Sequence, residues 1–332
     1  MSISRNRGFT LVELMISVVL GMVIVGGVIS VMLANKRSFN TNEGLSQVQE
    51  SARTAFELIA RDVRQSAGNT CDNNGRTADV VDASGANWWQ GWWGVRGVND
   101  GDTDPAVATS GAVGERVAGT DSLRIQGMEG TGFGVDVHNA AGQTLTLQED
   151  AGLVVGDIVM ICDFDHTALF QTTAYDSAAF TLEHDNGGGP PGNCSSGLGF
   201  PTNCDGGTGN IYAFPQNSPV GRLAVSDWYV GNNGRAEEGG RSLYRRRLGP
   251  GGVLVTEEIV AGVTDMQVTY RRANSDLIQD ASAVADWGDV NAILVELTAD
   301  SASARVTTDA TVNEGRIQRT FNFLITLRNR AP

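Results

Sequence analysis

Lysine is nearly missing from this chain. Lys36 stands alone among 332 residues, so a lysine nucleophile or Schiff base has one position open to it. Histidine is almost as scarce. His138, His166 and His184 are too few and too scattered for a His-rich catalytic metal centre. The four cysteines include no C-x-x-C pair, which argues against a zinc site of the usual spacing. No G-x-S-x-G elbow and no phosphate-binding P-loop occurs, so the chain lacks the marks of a serine hydrolase or an NTPase. Positive charge is in deficit. Lys and Arg number 24 against 38 Asp and Glu, a net of −14, where nucleic-acid binding wants a basic face.

Glycine is plentiful, at 42 residues against 8 prolines, as in a turn-rich β-structure. Hydrophobic residues make up 41% and charged residues 19%, the balance of a folded protein. The length suits one large domain or two smaller ones.

The strongest local signal is at the N-terminus. Residues 1–8 read MSISRNRG, with Arg5 and Arg7 as the only charges. FTLVELMISVVLGMVIVGGVISVMLA follows over residues 9–34, broken by one acid, Glu13. About 20 apolar residues span a bilayer as a helix, so this run is long enough. A carboxylate inside it costs several kcal/mol unless paired, which makes Glu13 a functional residue by default. Cleavage after Gly8 would leave Phe9 with a free amine. That amine, from the same chain or a neighbour, would compensate Glu13. No A-x-A site follows the apolar run, as a secretory signal would require.

R-G-F-T-L-V-E-L over residues 7–14 resembles the type IV prepilin signal. The resemblance implies cleavage at Gly8–Phe9 by a membrane peptidase, N-methylation of Phe9, and an assembly role for Glu13 toward the amine of an adjacent subunit. Loss of Arg5 and Arg7 would take the net charge from −14 to −16. Arg5 and Arg7 before the apolar run fit the positive-inside rule, weakened by Lys36 and Arg37 after it.

Beyond the apolar run, Leu45, Val48, Ala52, Ala55, Phe56, Ile59 and Val63 recur at steps of three and four. This predicts an amphipathic second half of one long helix, stopping at Gly68-Asn69, with its stripe on a globular head. Gly21, Gly26 and Gly27 weaken the first half; they either permit close helix packing or mark where the helix unwinds in a filament. From residue 70 the pattern turns to strands, expected over 121–126, 143–148, 157–162, 168–173, 179–183, 221–230, 242–248, 264–271, 291–298 and 317–328. Phe321, Phe323, Ile325 and Leu327 share one face of the last. Residues 186–210 read as a Gly/Pro/Asn-rich loop.

The segments GDIVMICDFDHTALFQ (156–171), GNCSSGLG (192–199), SLYRRR (242–247), EIVAGVTDMQVTY (258–270), ADWGDVNAILVEL (285–297) and RTFNFLITLRNR (319–330) resemble the PilW-type minor pilins. That resemblance implies an α+β pilin fold, with a long N-terminal helix against an enlarged antiparallel sheet. It divides the chain into a leader (1–8), a membrane and filament-core helix (9–34), an amphipathic half-helix (35–69) and a β-rich head (70–332). It implies a low-abundance subunit priming assembly or capping the pilus tip, in the inner membrane of a Gram-negative cell with its head in the periplasm, then outside in the pilus. Implied partners are other minor pilins, the major pilin, the prepilin peptidase, the inner-membrane platform with its ATPase, and a tip adhesin. The rival readings are a minor pseudopilin of a type II secretion system and a membrane-tethered carbohydrate- or protein-binding module.

Cys71, Cys162, Cys194 and Cys204 all follow the apolar run, as expected of two disulfides in an exported head. Cys194–Cys204 with Cys71–Cys162 is preferred; Cys162–Cys194 with Cys71–Cys204 is the alternative. Asp100, Asp102 and Asp104 could form an irregular Ca²⁺ loop, though Pro105 and Gly111 break the EF-hand pattern and a solvated acidic turn is the plainer reading. No other cofactor is expected. Asp163, Asp165 and His166 offer an acid–base or metal cluster, against a structural strand end. Trp88, Trp89, Trp92 and Trp93 could bind a partner, against the plainer reading of a local core. Arg245, Arg246 and Arg247 alternate faces of a strand and suggest ion pairs. No enzymatic activity is expected.

Overall fold

The computed structural model describes residues 10–67, 76–82, 87–91, 94–130, 132–273, 275, 277–304, 306–307, 313–327 and 330. Gly8, Phe9, Cys71, Trp92, Trp93 and the helix stop at Gly68-Asn69 lie outside them.

A single helix, α1, runs from Leu11 to Ala67. Its first half is apolar on every side, with Leu11, Met22, Val23 and Met32 among its exposed side chains. This half has a mean hydropathy of 2.6 over its most apolar stretch, none of it buried in the molecule. The second half behaves differently. Val48, Ala52, Ala55, Ile59 and Val63 are buried, with Leu45 and Phe56 packed at the margin. The three-and-four spacing of this stripe is what lets one helix face lie on a sheet while Lys36, Arg53 and Glu57 stay in solvent.

The head is built of sixteen strands among the described residues, in two sheets. The four-stranded sheet is antiparallel, in the order β14 (Ile278–Asp280), β13 (Val263–Arg272), β15 (Val290–Asp300), β16 (Gln318–Thr326). The larger sheet centres on β10, Pro219–Asn232, which is long enough to serve two neighbourhoods. Its second half pairs with β3 (Ser122–Met128) and β11 (Arg241–Leu248), flanked by β2 (Val95–Val98) and β12 (Leu254–Ala261). Its first residues pair with β4 (Phe133–Asn139) and β6 (Ile158–Cys162). The remaining strands are β1 (Thr77–Asp79), parallel to β7 (Thr167–Gln171), and β5 (Thr144–Leu147), β8 (Ala174–Asp176) and β9 (Thr181–Glu183).

Residues 129–218 are therefore an excursion between two strands, β3 and β10, that pair with each other. This excursion holds its own core of Val135, Leu145, Val159, Ile161, Phe170 and Leu182. It carries 11 acids and neither lysine nor arginine, so much of the chain's negative charge is gathered here. The helix touches other elements: β16, β15, β3 and β12.

The expected strands all appear, with shifted ends. Six others were not expected: β1, β2, β4, β8, β12 and β14. β12 reads LVTEEIVA, and its two glutamates hide it; Glu257 and Glu258 are held by arginines of the adjacent chain segments.

The helix is clamped by a polar contact as well as by its stripe. Trp228 Nε1 on β10 donates to Asp62 Oδ2 at 3.0 Å. The Arg245 guanidinium lies over the Trp228 ring, 5.4 Å from its centroid, and reaches Asp62 at 3.6 Å and Glu257 at 2.9 Å. Arg247 and Arg245 together hold the Glu257 carboxyl below the usual range. Ile59→Ala opens a cavity in this interface and should lower stability by about 3 kcal/mol. Val25→Ala, in the exposed apolar half, should leave it unchanged. Urea unfolding of the detergent-solubilised chain, followed by tryptophan fluorescence, checks both.

Candidate functional site

The helix starts with its own device. Thr10 Oγ1 accepts the Glu13 backbone N–H at 3.3 Å, and Thr10 O accepts the Leu14 N–H at 3.1 Å. T-x-x-E at a helix start is the capping-box pattern, which satisfies N–H groups that have no partner within the helix. Glu13 also sits in the first turn, where the helix dipole favours a negative charge. The pattern is local and present in the sequence, at the edge of the stronger apolar run. It gives Glu13 a local reason to be there, beside any pairing with a neighbour. Gly21, Gly26 and Gly27 have open space around them, and the helix runs through them unbroken.

In the head, Cys194 and Cys204 form a disulfide, with Cα atoms 5.1 Å apart. This rules out the alternative pairing of Cys194 with Cys162. Cys162 is itself disulfide-bonded. The stapled loop is docked by histidines: His166 Nε2 donates to Leu198 O at 2.9 Å, and His184 Nδ1 donates to Ser196 O at 2.9 Å.

All three histidines gather in this one place, around Phe214. Its backbone N–H donates to His138 Nδ1 at 2.9 Å, so His138 carries its proton on Nε2. That proton points at His184 Nε2, 3.1 Å away, which is free to accept because His184 keeps its own proton on Nδ1. Two neutral imidazoles thus share one hydrogen. Burial pushes both down from 6.5 to about 4, and the neighbouring ring adds to the effect on His138. His166 lies between Asp165 Oδ2 (3.0 Å) and Leu198 O, with Tyr212 packed edge-on at 4.4 Å. Tyr212 donates to Asp163 Oδ2 at 2.5 Å. Phe164, between the two acids, is 90% exposed. Asp163 and Asp165 are thus each engaged in holding the loop, and no group of three metal-ligating side chains forms among the described residues.

The acidic run 100–104 does not converge. Asp100 and Asp102 face solvent, whereas Asp104 turns inward, accepting from Ser122 Oγ at 2.5 Å and from Arg124 Nη2 at 3.3 Å. Trp88 and Trp89 are 7% and 5% exposed, and Arg124 stacks on the Trp88 ring at 5.0 Å. Their carbonyls accept from Arg124 and Gln126 at 2.7 Å. Arg245 and Arg247 share Glu257, while Arg246 points to the other face and reaches Ala106 O.

The family model for the prokaryotic N-terminal methylation motif matches residues 3–29. Comparisons with curated proteins and with solved structures give no match. The matched segment covers Glu13 and the first part of α1, and this prepilin signal supports a pilin or pseudopilin that is anchored in the membrane and interacts with other pilins and the prepilin peptidase.

The histidine pair sets an acid limit. Unfolded, both rings take up protons below about pH 6.5; folded, they resist until about pH 4. Their contribution is intact above 6.5 and is lost as pH falls toward 4, by up to ~1.4 kcal/mol per pH unit for each ring. Thermal melting should fall between about pH 7 and about pH 5. His138→Gln combined with His184→Gln should flatten that part of the curve; an unchanged slope would remove the pair as its source.

Proposed function

We propose that the chain is a minor pilin of a type IV pilus, of the PilW type. The observation that carries this reading is one helix with two environments. A prepilin signal opens directly into a capped helix whose first half is apolar and uncovered, while its second half is fixed to a folded head.

In this reading residues 1–8 are a leader, removed at Gly8–Phe9, and Phe9 is N-methylated. Residues 9–34 span the inner membrane and later form the filament core among neighbouring helices, where apolar packing replaces lipid contact. Glu13 pairs with the Phe9 amine of an adjacent subunit and sets register. Residues 35–69 carry the head, which sits in the periplasm of a Gram-negative cell until assembly. The chain joins other minor pilins and the major pilin at the assembly platform, primes the filament or caps its tip, and can seat a tip adhesin there. Adhesion and twitching would follow from the filament and not from catalysis by this chain; it needs no cofactor.

A minor pseudopilin of a type II secretion system shares the signal, helix and head. The PilW-like segments 156–171, 242–247 and 319–330 favour the pilus. The test is intact mass of the chain recovered from membranes, with and without prepilin peptidase. The expected product begins at methylated Phe9 only when the peptidase is present. Retention of residues 1–8 in both cases would refute the reading. Recovery of the processed chain in sheared pili, and not with a secretion complex, separates pilus from pseudopilus.

A further inference from the structure

We propose that the turn between β6 and β7 docks, through Phe164, on a protein partner that offers an apolar slot rimmed by arginine and lysine. The prepilin reading does not require this contact, and processing at Gly8–Phe9 is measured independently of it.

The turn is built to hold one shape. Residues 163–166 follow β6 and lead into β7. The Asp163 N–H donates to His166 O at 3.2 Å, which leaves Phe164 and Asp165 at the tip. The Asp163 carboxylate folds back on this backbone. Its Oδ1 accepts from the Asp165 N–H at 2.8 Å and from the His166 N–H at 3.2 Å, and its Oδ2 accepts from the Tyr212 hydroxyl at 2.5 Å. Closure by an aspartate side chain is a common way of fixing a turn. Asp165 is held by His166 Nδ1 at 3.0 Å and by Arg76 at 3.3 Å. Both neighbours of Phe164 are thus anchored, while its own ring is 90% exposed.

That exposure brings the chain itself nothing. A ring in water gains no burial, and tight turns favour Gly, Asn, Asp, Ser or Pro. Two further exposed apolar side chains adjoin the tip through the same bonds. Phe200 carries the Arg76 guanidinium over its ring, 5.3 Å from the centroid. Ile211 directly precedes Tyr212. Aromatic side chains on a rigid support are the usual anchors of protein interfaces, because little ordering is left to be done on binding.

Charge selects the partner. The tip belongs to the excursion of residues 129–218, whose 11 acids and lack of lysine and arginine give it a formal charge of −11. Arg76 comes from outside the excursion and is engaged with Asp165. Such a face repels a second copy of itself and the anionic headgroups of a membrane, and it draws a basic surface. The main contacts of α1 are with β16, β15, β3 and β12, all outside the excursion. The head is therefore held on its helix without covering the tip.

The test begins with photo-cross-linking. Phe164 is replaced by p-benzoylphenylalanine in the full chain, in the cells that make it, and the cross-linked site is located by mass spectrometry. The expected product joins position 164 to one protein, at an apolar patch bordered by arginine and lysine. Calorimetry of that protein with the full chain in detergent follows. Phe164→Ala is expected to weaken binding at least about tenfold, as for loss of an interface anchor. Raising NaCl from about 0.05 M to about 0.5 M should weaken binding by the parent chain. Phe164→Ala should melt with the parent, because the ring is not buried. A cross-link to lipid, to a second copy of the chain or to a protein site without basic residues would overturn the proposal. So would the absence of any cross-link, an affinity unchanged by Phe164→Ala, or an affinity indifferent to salt.

Discussion

Residues 11–33 expose apolar side chains all around a helix, and water tolerates no such surface for long. Every other part of the molecule is arranged around that constraint. The first half of α1 must lie in lipid or among other apolar helices. The second half must leave that environment and still hold the head. The change falls within one unbroken helix, where a continuous apolar surface gives way to a stripe beginning at Leu45. The head is therefore a load carried at the end of a rod. Its grip is the buried stripe from Val48 to Val63, with Asp62, Trp228 and Arg245 fixing the rotation of the helix about its axis.

The head divides its labour along β10. The half of that strand paired with β3 and β11 belongs to the block that holds α1. Its first residues, Pro219 to Arg222, pair with β4 and β6 and join the excursion of residues 129–218, away from the helix contacts. That excursion is free of lysine and arginine, stapled by Cys194–Cys204, and braced by the histidines. The three histidines thus have a structural role. The three rings act as neutral or loop-holding hydrogen-bond groups in one aromatic nest, and each reaches a backbone group of the loop segment from Ser196 to Phe214.

The sequence was most legible where the physical signal is periodic and local. The stripe from Leu45 to Val63 gave the helix face, and Phe321, Phe323, Ile325 and Leu327 gave the inner face of β16, with Phe56 of the helix stacked on Phe323 at 4.1 Å. The strand β12 was lost because Glu257 and Glu258 break its apolar pattern, and the arginines that compensate them, Arg235, Arg245 and Arg247, belong to other segments of the chain. Short strands such as β1 and β14 have too few residues to show alternation. Long-range juxtaposition was hidden for the same reason. Nothing near Asp62 in the sequence announces Trp228 or Arg245, and nothing in the acidic run 100–104 shows that Asp104 turns inward while Asp100 and Asp102 stay in water. Thr10 is the opposite case: its capping pattern was local and readable, but lay at the edge of a louder signal.

Glu13 joins the local and the assembled structure. In the isolated chain it sits in the first helical turn, beside the Thr10 cap. In the proposed filament it is the one carboxylate in the apolar core and needs a partner amine, which the cleaved N-terminus supplies. The most direct measurement compares the parent chain with Glu13→Gln in cells that assemble the filament, following peptidase processing, membrane retention and recovery in sheared filaments. The account predicts normal processing and retention, with filament recovery reduced at least about tenfold, as for loss of a charge-assisted contact. Equal recovery of Glu13→Gln in filaments would contradict it.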